Sequence, residues 1–148
     1  FSDWSVFMFK PCLLALSAAL LVAAQSASAQ PMTEYGRPVL SGVFVSFPHG
    51  GTAFRPTARQ EAELLNAKDA DLVTIKGRTS TLKPSAQDES LALARALSAR
   101  SYLIARGVSP LKIVVNFASA ADFIADNSTP EGRLENQRVE VELVFVGN

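Results

Sequence analysis

The chain is short of the residues that build metal centres and redox sites, with one cysteine and one histidine in 148 residues. A disulfide within the chain is excluded, and a structural zinc centre, which draws its ligands mostly from these two residue types, cannot be assembled. Net charge is missing too. The 14 Lys and Arg residues equal the 14 Asp and Glu residues, and no basic cluster or tail stands out, so the electrostatic footprint of a nucleic-acid partner is absent. Catalytic signatures are equally scarce. No serine sits in a G-x-S-x-G elbow to use His49 as a base, and Gly50-Gly51 lacks the lysine and spacing of a phosphate loop. The chain is read as non-enzymatic and without a cofactor, and His49 as an ordinary loop histidine.

Only one long hydrophobic run occurs. The segment Leu13–Ala24 is uncharged, follows Lys10 and leads into Ala27-Ser28-Ala29-Gln30. Its 12 residues reach only about 18 Å as a helix, against a hydrocarbon core of about 30 Å. A membrane anchor is therefore the weaker reading. A short positive lead, an apolar core and a small-x-small triplet form a secretory signal, with cleavage expected after Ala29 and the exported chain released to a bacterial periplasm. Met8 is the natural start of that signal, with residues 1–7 an upstream extension. Cys12 precedes the apolar core rather than following it, which disfavours lipidation. Residues 1–29 hold the only Cys, the only Trp, one acid and one base, so the exported chain Gln30–Asn148 is a neutral, cysteine-free stretch of 119 residues. That is one domain's worth.

What remains is patterned. Residues 30–38 are polar, contain Pro31, Gly36 and Pro38, and read as an exposed lead-in to a domain over 39–148. Val43, Val45 and Phe47 alternate with smaller or polar positions as a strand does, up to Pro48-His49-Gly50-Gly51. Pro56-Thr57 opens a helix of about three turns with Ala58, Ala62 and Leu65 on the inner face and Glu61 and Glu63 outside. Leu72–Ile75 is a second strand closing on Gly77. Ser85, with Asp88 and Glu89 downstream, starts a helix over 86–106 that Gly107 stops, with Leu91, Arg95, Ala99, Tyr102 and Leu103 on one face. Lys112–Phe117 is a third strand, 118–137 a long loop, and Arg138–Val146 a fourth strand whose Val139, Val141, Leu143 and Phe145 alternate with Glu140, Glu142 and Val144. The order β-α-β-α-β-β gives an α+β two-layer sandwich, a mixed four-stranded sheet with two helices on one face.

Four segments, Gly77-Arg78-Thr79-Ser80, Leu91–Ala96, Tyr102-Leu103 with Gly107-Val108, and Glu131-Gly132-Arg133 with Asn136-Gln137-Arg138-Val139-Glu140, resemble the OmpA-like C-terminal domain family. That family carries G-H-T-D, N-x-x-L-S-x-x-R-A, Y-L-x-x-x-G and T-x-E-G-R-x-x-N-R-R-V-E in the same order, and the match runs from about Val43 to Leu143. The resemblance implies a domain that binds peptidoglycan without cleaving it. It implies that an aspartate of the T-D segment and the arginine of R-A together hold the zwitterionic end of the diaminopimelate stem. An ammonium wants a carboxylate and a carboxylate wants a planar guanidinium fork, so both charges are needed.

Carried over residue by residue, the arginine is Arg95, while the aspartate is replaced by Ser80, next to Thr79. Asp88 stands at the family's helix-start asparagine, and Pro48 at a second family aspartate. Arg138 and Asn136 are retained in the closing segment, with Gln137 replacing an arginine. The resemblance thus nominates Arg95, Asp88, Ser80, Thr79, Asn136 and Arg138 as ligand-binding residues. Arg95 falls on the apolar face, so either a ligand or a protein carboxylate must neutralise it, and the ligand is favoured. Asp88 is read first as a first-turn acid favoured by the helix dipole and only second as a replacement ammonium ligand. Two function classes follow. One is a periplasmic peptidoglycan-binding module. The other is a domain that has lost wall binding and serves assembly of an envelope secretion or conjugation complex. Either would need a partner protein or self-association, since a free-standing domain alone links nothing to the wall.

Overall fold

Alternation writes the sheet. The computed structural model describes residues 39–147, and the segments read as a signal (1–29) and a lead-in (30–38) lie outside the described residues. In β1 (Val39–Ser46) Val43 and Val45 are buried while Leu40 and Phe44 stay exposed. In β4 (Arg138–Phe145) Val139, Val141 and Leu143 are buried and Glu140 and Glu142 turn to the other face. With β2 (Leu72–Arg78) and β3 (Ile113–Ala118) they make one mixed sheet in the order β1-β4-β2-β3. Strand β4 runs antiparallel to both neighbours, and β2 pairs parallel with β3. The register lines up Val43, Val141, Ile75 and Val115 in one apolar row across all four strands. A one-residue slip would turn that row to solvent.

The long helix α2 (Ala86–Ala105) lies on this face and buries Ala92, Arg95, Ala96, Ala99 and Leu103. Ser85 caps it, its hydroxyl accepting the Asp88 N–H. It ends as expected, with Gly107 at φ +92° and the Val108 N–H returning to the Leu103 carbonyl. The next apolar row of the sheet, Val45, Val139, Gly77 and Phe117, is interrupted by a glycine. There α2 comes so close that a Cβ on Gly77 would stand 2.1 Å from the Ala92 carbonyl oxygen and 3.2 Å from the Ala96 Cβ.

Two expectations need correction. The first helix, α1 (Ala58–Leu64), makes two turns and tightens into a 3-10 stretch, Leu65–Asp69. Its inner residues are Leu64 and Ala67, whereas Ala58, Ala62 and Leu65 line an outward groove with Tyr102 and Arg106. The tightened turn moves only the residues after Leu64 off the ideal helical period, and over two turns the small Ala58 and Ala62 are a weak guide to the inner face, which Leu64 takes. The stretch read as a loop over 118–137 contains a third helix, α3 (Pro130–Asn136). Thr129 caps it and Pro130 occupies its first turn, both ordinary start signals, but seven residues are too few to show a period.

The two glycines should respond differently. Nothing stands within 4 Å of a Cβ at Gly107, so Gly107→Val meets only left-handed backbone strain, about 1–2 kcal/mol. Gly77→Ala must push backbone against backbone, and its thermal midpoint is expected to fall further. An equal or smaller loss at Gly77 would show that α2 does not sit on β2 this closely.

Candidate functional site

The conspicuous feature is a guanidinium buried without an acid. Arg95 has no exposed surface, and none of the ion pairs among the described residues involves it. Its Nε donates to the Gly51 carbonyl at 2.9 Å, Nη1 to the Arg78 carbonyl at 3.1 Å and Nη2 to the Pro48 carbonyl at 3.3 Å. The ring of Phe47 lies 5.2 Å from Cζ. A guanidinium has five N–H donors, so one on each terminal nitrogen is left over. Burial pushes its pKa down, to about 10. A base whose folded pKa is depressed costs stability wherever it is charged, so this cost is constant through neutral pH and is relieved only as pH rises past that value. An anion reaching the fork would offset part of it.

The turn over the guanidinium is built to approach closely. Gly51 N–H bonds the Pro48 carbonyl at 2.9 Å, and Gly50 adopts φ +67°, the left-handed position that glycine takes in a tight turn. Outside this turn a groove of about 390 Å³ runs past Pro48, Gly51, Thr52 and Arg55, with no acid on its walls. The Pro48 carbonyl accepts from both Gly51 and Arg95, and its bond to Arg95 is the longest of the three.

The nominated residues divide into two groups. Thr79 and Ser80 directly follow Arg78, whose carbonyl holds Arg95. Thr79 is buried with its hydroxyl 3.0 Å from that of Thr81, and Ser80 is half-buried. Asp88 is half-buried on the same stripe of α2 as Ala92 and Arg95. Asn136 and Arg138 stand behind this group. The Asn136 amide receives the N–H groups of Ile124 and Ala125 and donates to the Ala125 carbonyl and the Asn127 side chain. Arg138 is buried against Glu140 and donates to the Asp122 carbonyl.

Residues that the sequence reading passed over link these groups. Arg78 grips the Asp122 carboxylate with Nε and Nη2, each at 2.7 Å, and Asp122 holds φ +54° to meet it. Asn127 reaches from the same loop to the Ser80 carbonyl at 2.7 Å. Arg78 occupies the histidine position of the G-H-T-D segment, which was a signal available in the sequence. Asp122 and Asn127 sit in an aperiodic loop that gave none. Asp126, also in that loop, has its carboxyl pKa lowered, chiefly by the Ser128 backbone N–H and then by its hydroxyl.

Among the described residues no helix is long and apolar enough to cross a membrane, and no three metal-binding side chains gather. Comparison with known proteins agrees with the architecture. The OmpA family matches residues 46–137. A Brucella suis protein whose name places it among type IV secretion system outer membrane lipoproteins is 32% identical over 127 residues, covering 84% of this chain and 74% of that protein. The peptidoglycan-binding protein ArfA of Mycobacterium tuberculosis is 32% identical over 106 residues, 69% of this chain and 32% of ArfA. The peptidoglycan-associated lipoprotein of Burkholderia pseudomallei shares the fold, with a TM-score of 0.59 at 18% identity over 68% of this chain and 88% of that one.

Asn136→Ala should separate support from contact. It removes four hydrogen bonds to half-buried or exposed residues of the 119–129 loop, so a loss of stability on the order of 2 kcal/mol is expected. Chemical denaturation measures it, and an unchanged midpoint would mean that Asn136 does not carry that loop.

Proposed function

The chain belongs to the OmpA family, and on that premise we propose that it is a non-catalytic peptidoglycan-binding domain of the periplasm that holds the carboxylate of a diaminopimelate stem through Arg95. The observation that carries this reading is the acid-free burial of Arg95. A buried charge held only by neutral acceptors lacks a counter-charge, and a carboxylate ligand is the natural partner for a fork with one spare N–H on each arm. Entry requires the Pro48–Gly51 turn to give, and the long bond from the Pro48 carbonyl is the one the ligand would replace. Thr79 and Ser80, which follow the Arg78 carbonyl that holds Arg95, bring only neutral hydroxyls, while Asn136 and Arg138 act from behind by holding the loop that braces Arg78 and Ser80. With Ser80 in place of an aspartate, binding is weak.

A second reading is favoured by the Brucella likeness together with the Ser80 and Pro48 departures. In it the domain has given up the wall and serves as an assembly component of a secretion complex.

Co-sedimentation with purified sacculi distinguishes the two. Arg95→Ala should weaken binding by about 2–4 kcal/mol, and Ser80→Asp should strengthen it by placing a carboxylate within reach of the ligand amine. A folded parent that never co-sediments, with an Arg95→Ala variant that is merely destabilised, would favour the assembly reading.

A further inference from the structure

Strand β1 is an edge of the sheet, and its outer rim is unguarded. The Phe47 N–H donates to the Gln137 carbonyl at 2.7 Å, which continues the β1–β4 ladder by one residue. Antiparallel pairing alternates, so the odd-numbered residues of β1 bond β4, while Leu40, Gly42, Phe44 and Ser46 turn their backbone groups outward. One side chain confirms the direction, for Gln60 of α1 reaches the Phe44 carbonyl from outside at 2.6 Å. Sheet edges are normally blunted by charges, prolines or bulges. No charge occurs from Val39 to Phe47, and the register with β4 runs without a bulge.

We propose that this rim pairs with the same rim of a second copy of the chain, β1 against β1, antiparallel about a two-fold axis through Ser41. The two sheets would then join as one. The inference goes beyond the wall-binding reading and does not depend on it.

The Gln60 bond selects the register. Gln60 stands where a donor from across the rim would have to come, so the residue facing Phe44 must be one without an N–H. A two-fold through Ser41 puts Pro38 of the second copy there, while Leu40 and Gly42 face each other and exchange N–H···O bonds on both sides of the axis. A two-fold through Gly42 or Val43 would face Phe44 with Leu40 or Gly42, each aiming an N–H at the occupied carbonyl. Pro38 is what makes the chain its own fit.

The side chains agree. On the sheet face that carries Glu140 and Glu142, Leu40 is 69% and Phe44 50% exposed. The Phe44 ring leans over Gly42, with Cε2 3.6 Å from where a Cβ would stand. Leu40 of one copy, directly opposite Gly42 of the other, enters space that holds no side chain and meets that ring, and the two-fold makes the contact twice. The acids beside β1 are already answered, Glu142 by Lys76 and Glu140 by Arg138. Two short rims bury less than a standard interface of about 1,600 Å², so the dimer is weak and depends on concentration.

The axis position gives a direct test. Across it the Ser41 residues form a pair without hydrogen bonds, their Cα atoms about 4.5 Å apart, which a disulfide can span. The two Ser46 residues, also exposed, stand about 33 Å apart along the paired strands. In a Cys12→Ser background, purified Ser41→Cys protein should form a disulfide dimer under mild oxidation at least about tenfold faster than Ser46→Cys protein. Sedimentation of the parent should show a monomer–dimer equilibrium that Leu40→Lys abolishes, with the thermal midpoint of a dilute sample unchanged because Leu40 is exposed. A parent that stays monomeric up to about 1 mM would overturn the proposal and leave the rim to a strand of another protein. Equal cross-linking at positions 41 and 46 would overturn it too, as would a dimer that Leu40→Lys leaves intact, which would lie on another surface.

Discussion

The arrangement depends on how closely α2 can lie on β2. With no side chain at Gly77, the carbonyl of Ala92 descends into space that a Cβ would fill. That contact sets the height of the helix, and the height sets where Arg95 stands relative to the end of β2. The alanines at 92, 96 and 99 extend the same principle along the helix, since small residues let backbones approach and leave the one buried charged side chain of the helix, Arg95, to fill the space beside them. A larger residue in this row would lift the helix and pull the guanidinium away from three carbonyls at once.

Arg95 is where the stability of the fold and the proposed ligand site meet. Three carbonyls and a phenyl ring are good company for a guanidinium but supply no counter-charge, and burial depresses its pKa. The neighbouring cations are treated differently. Arg78 has Asp122 and Arg138 has Glu140, so the fold can pair buried arginines when structure alone is at stake. One buried arginine without a counter-charge beside two that have one is the observation on which the proposed carboxylate seat rests.

Much of this was legible in the sequence. Period-two runs gave the four strands, and caps at Ser85 and Gly107 bracketed α2 to within a residue. Arg95 stood out as a cation on an apolar stripe. What stayed hidden was the work of aperiodic segments. The helix α3 is too short for its period to register, and the two turns of α1 turn Leu64 inward rather than the small Ala58 and Ala62. The loop over 119–129 braces the site through Asp122 and Asn127, one strained and one reaching across to Ser80, and neither leaves a mark in local pattern. Asn136 and Arg138 were recognisable by motif, yet only their hydrogen bonds show that they act on the loop behind the pocket.

The central claim, that the unpaired guanidinium of Arg95 is the seat of a ligand carboxylate, is tested most directly by following its side-chain Nε–H resonance by NMR as a diaminopimelate-containing stem peptide is added. The account predicts that this resonance shifts more than those of the paired Arg78 and Arg138 and that the shift saturates with the peptide. A peptide that binds while the Arg95 resonance stays in place would contradict it.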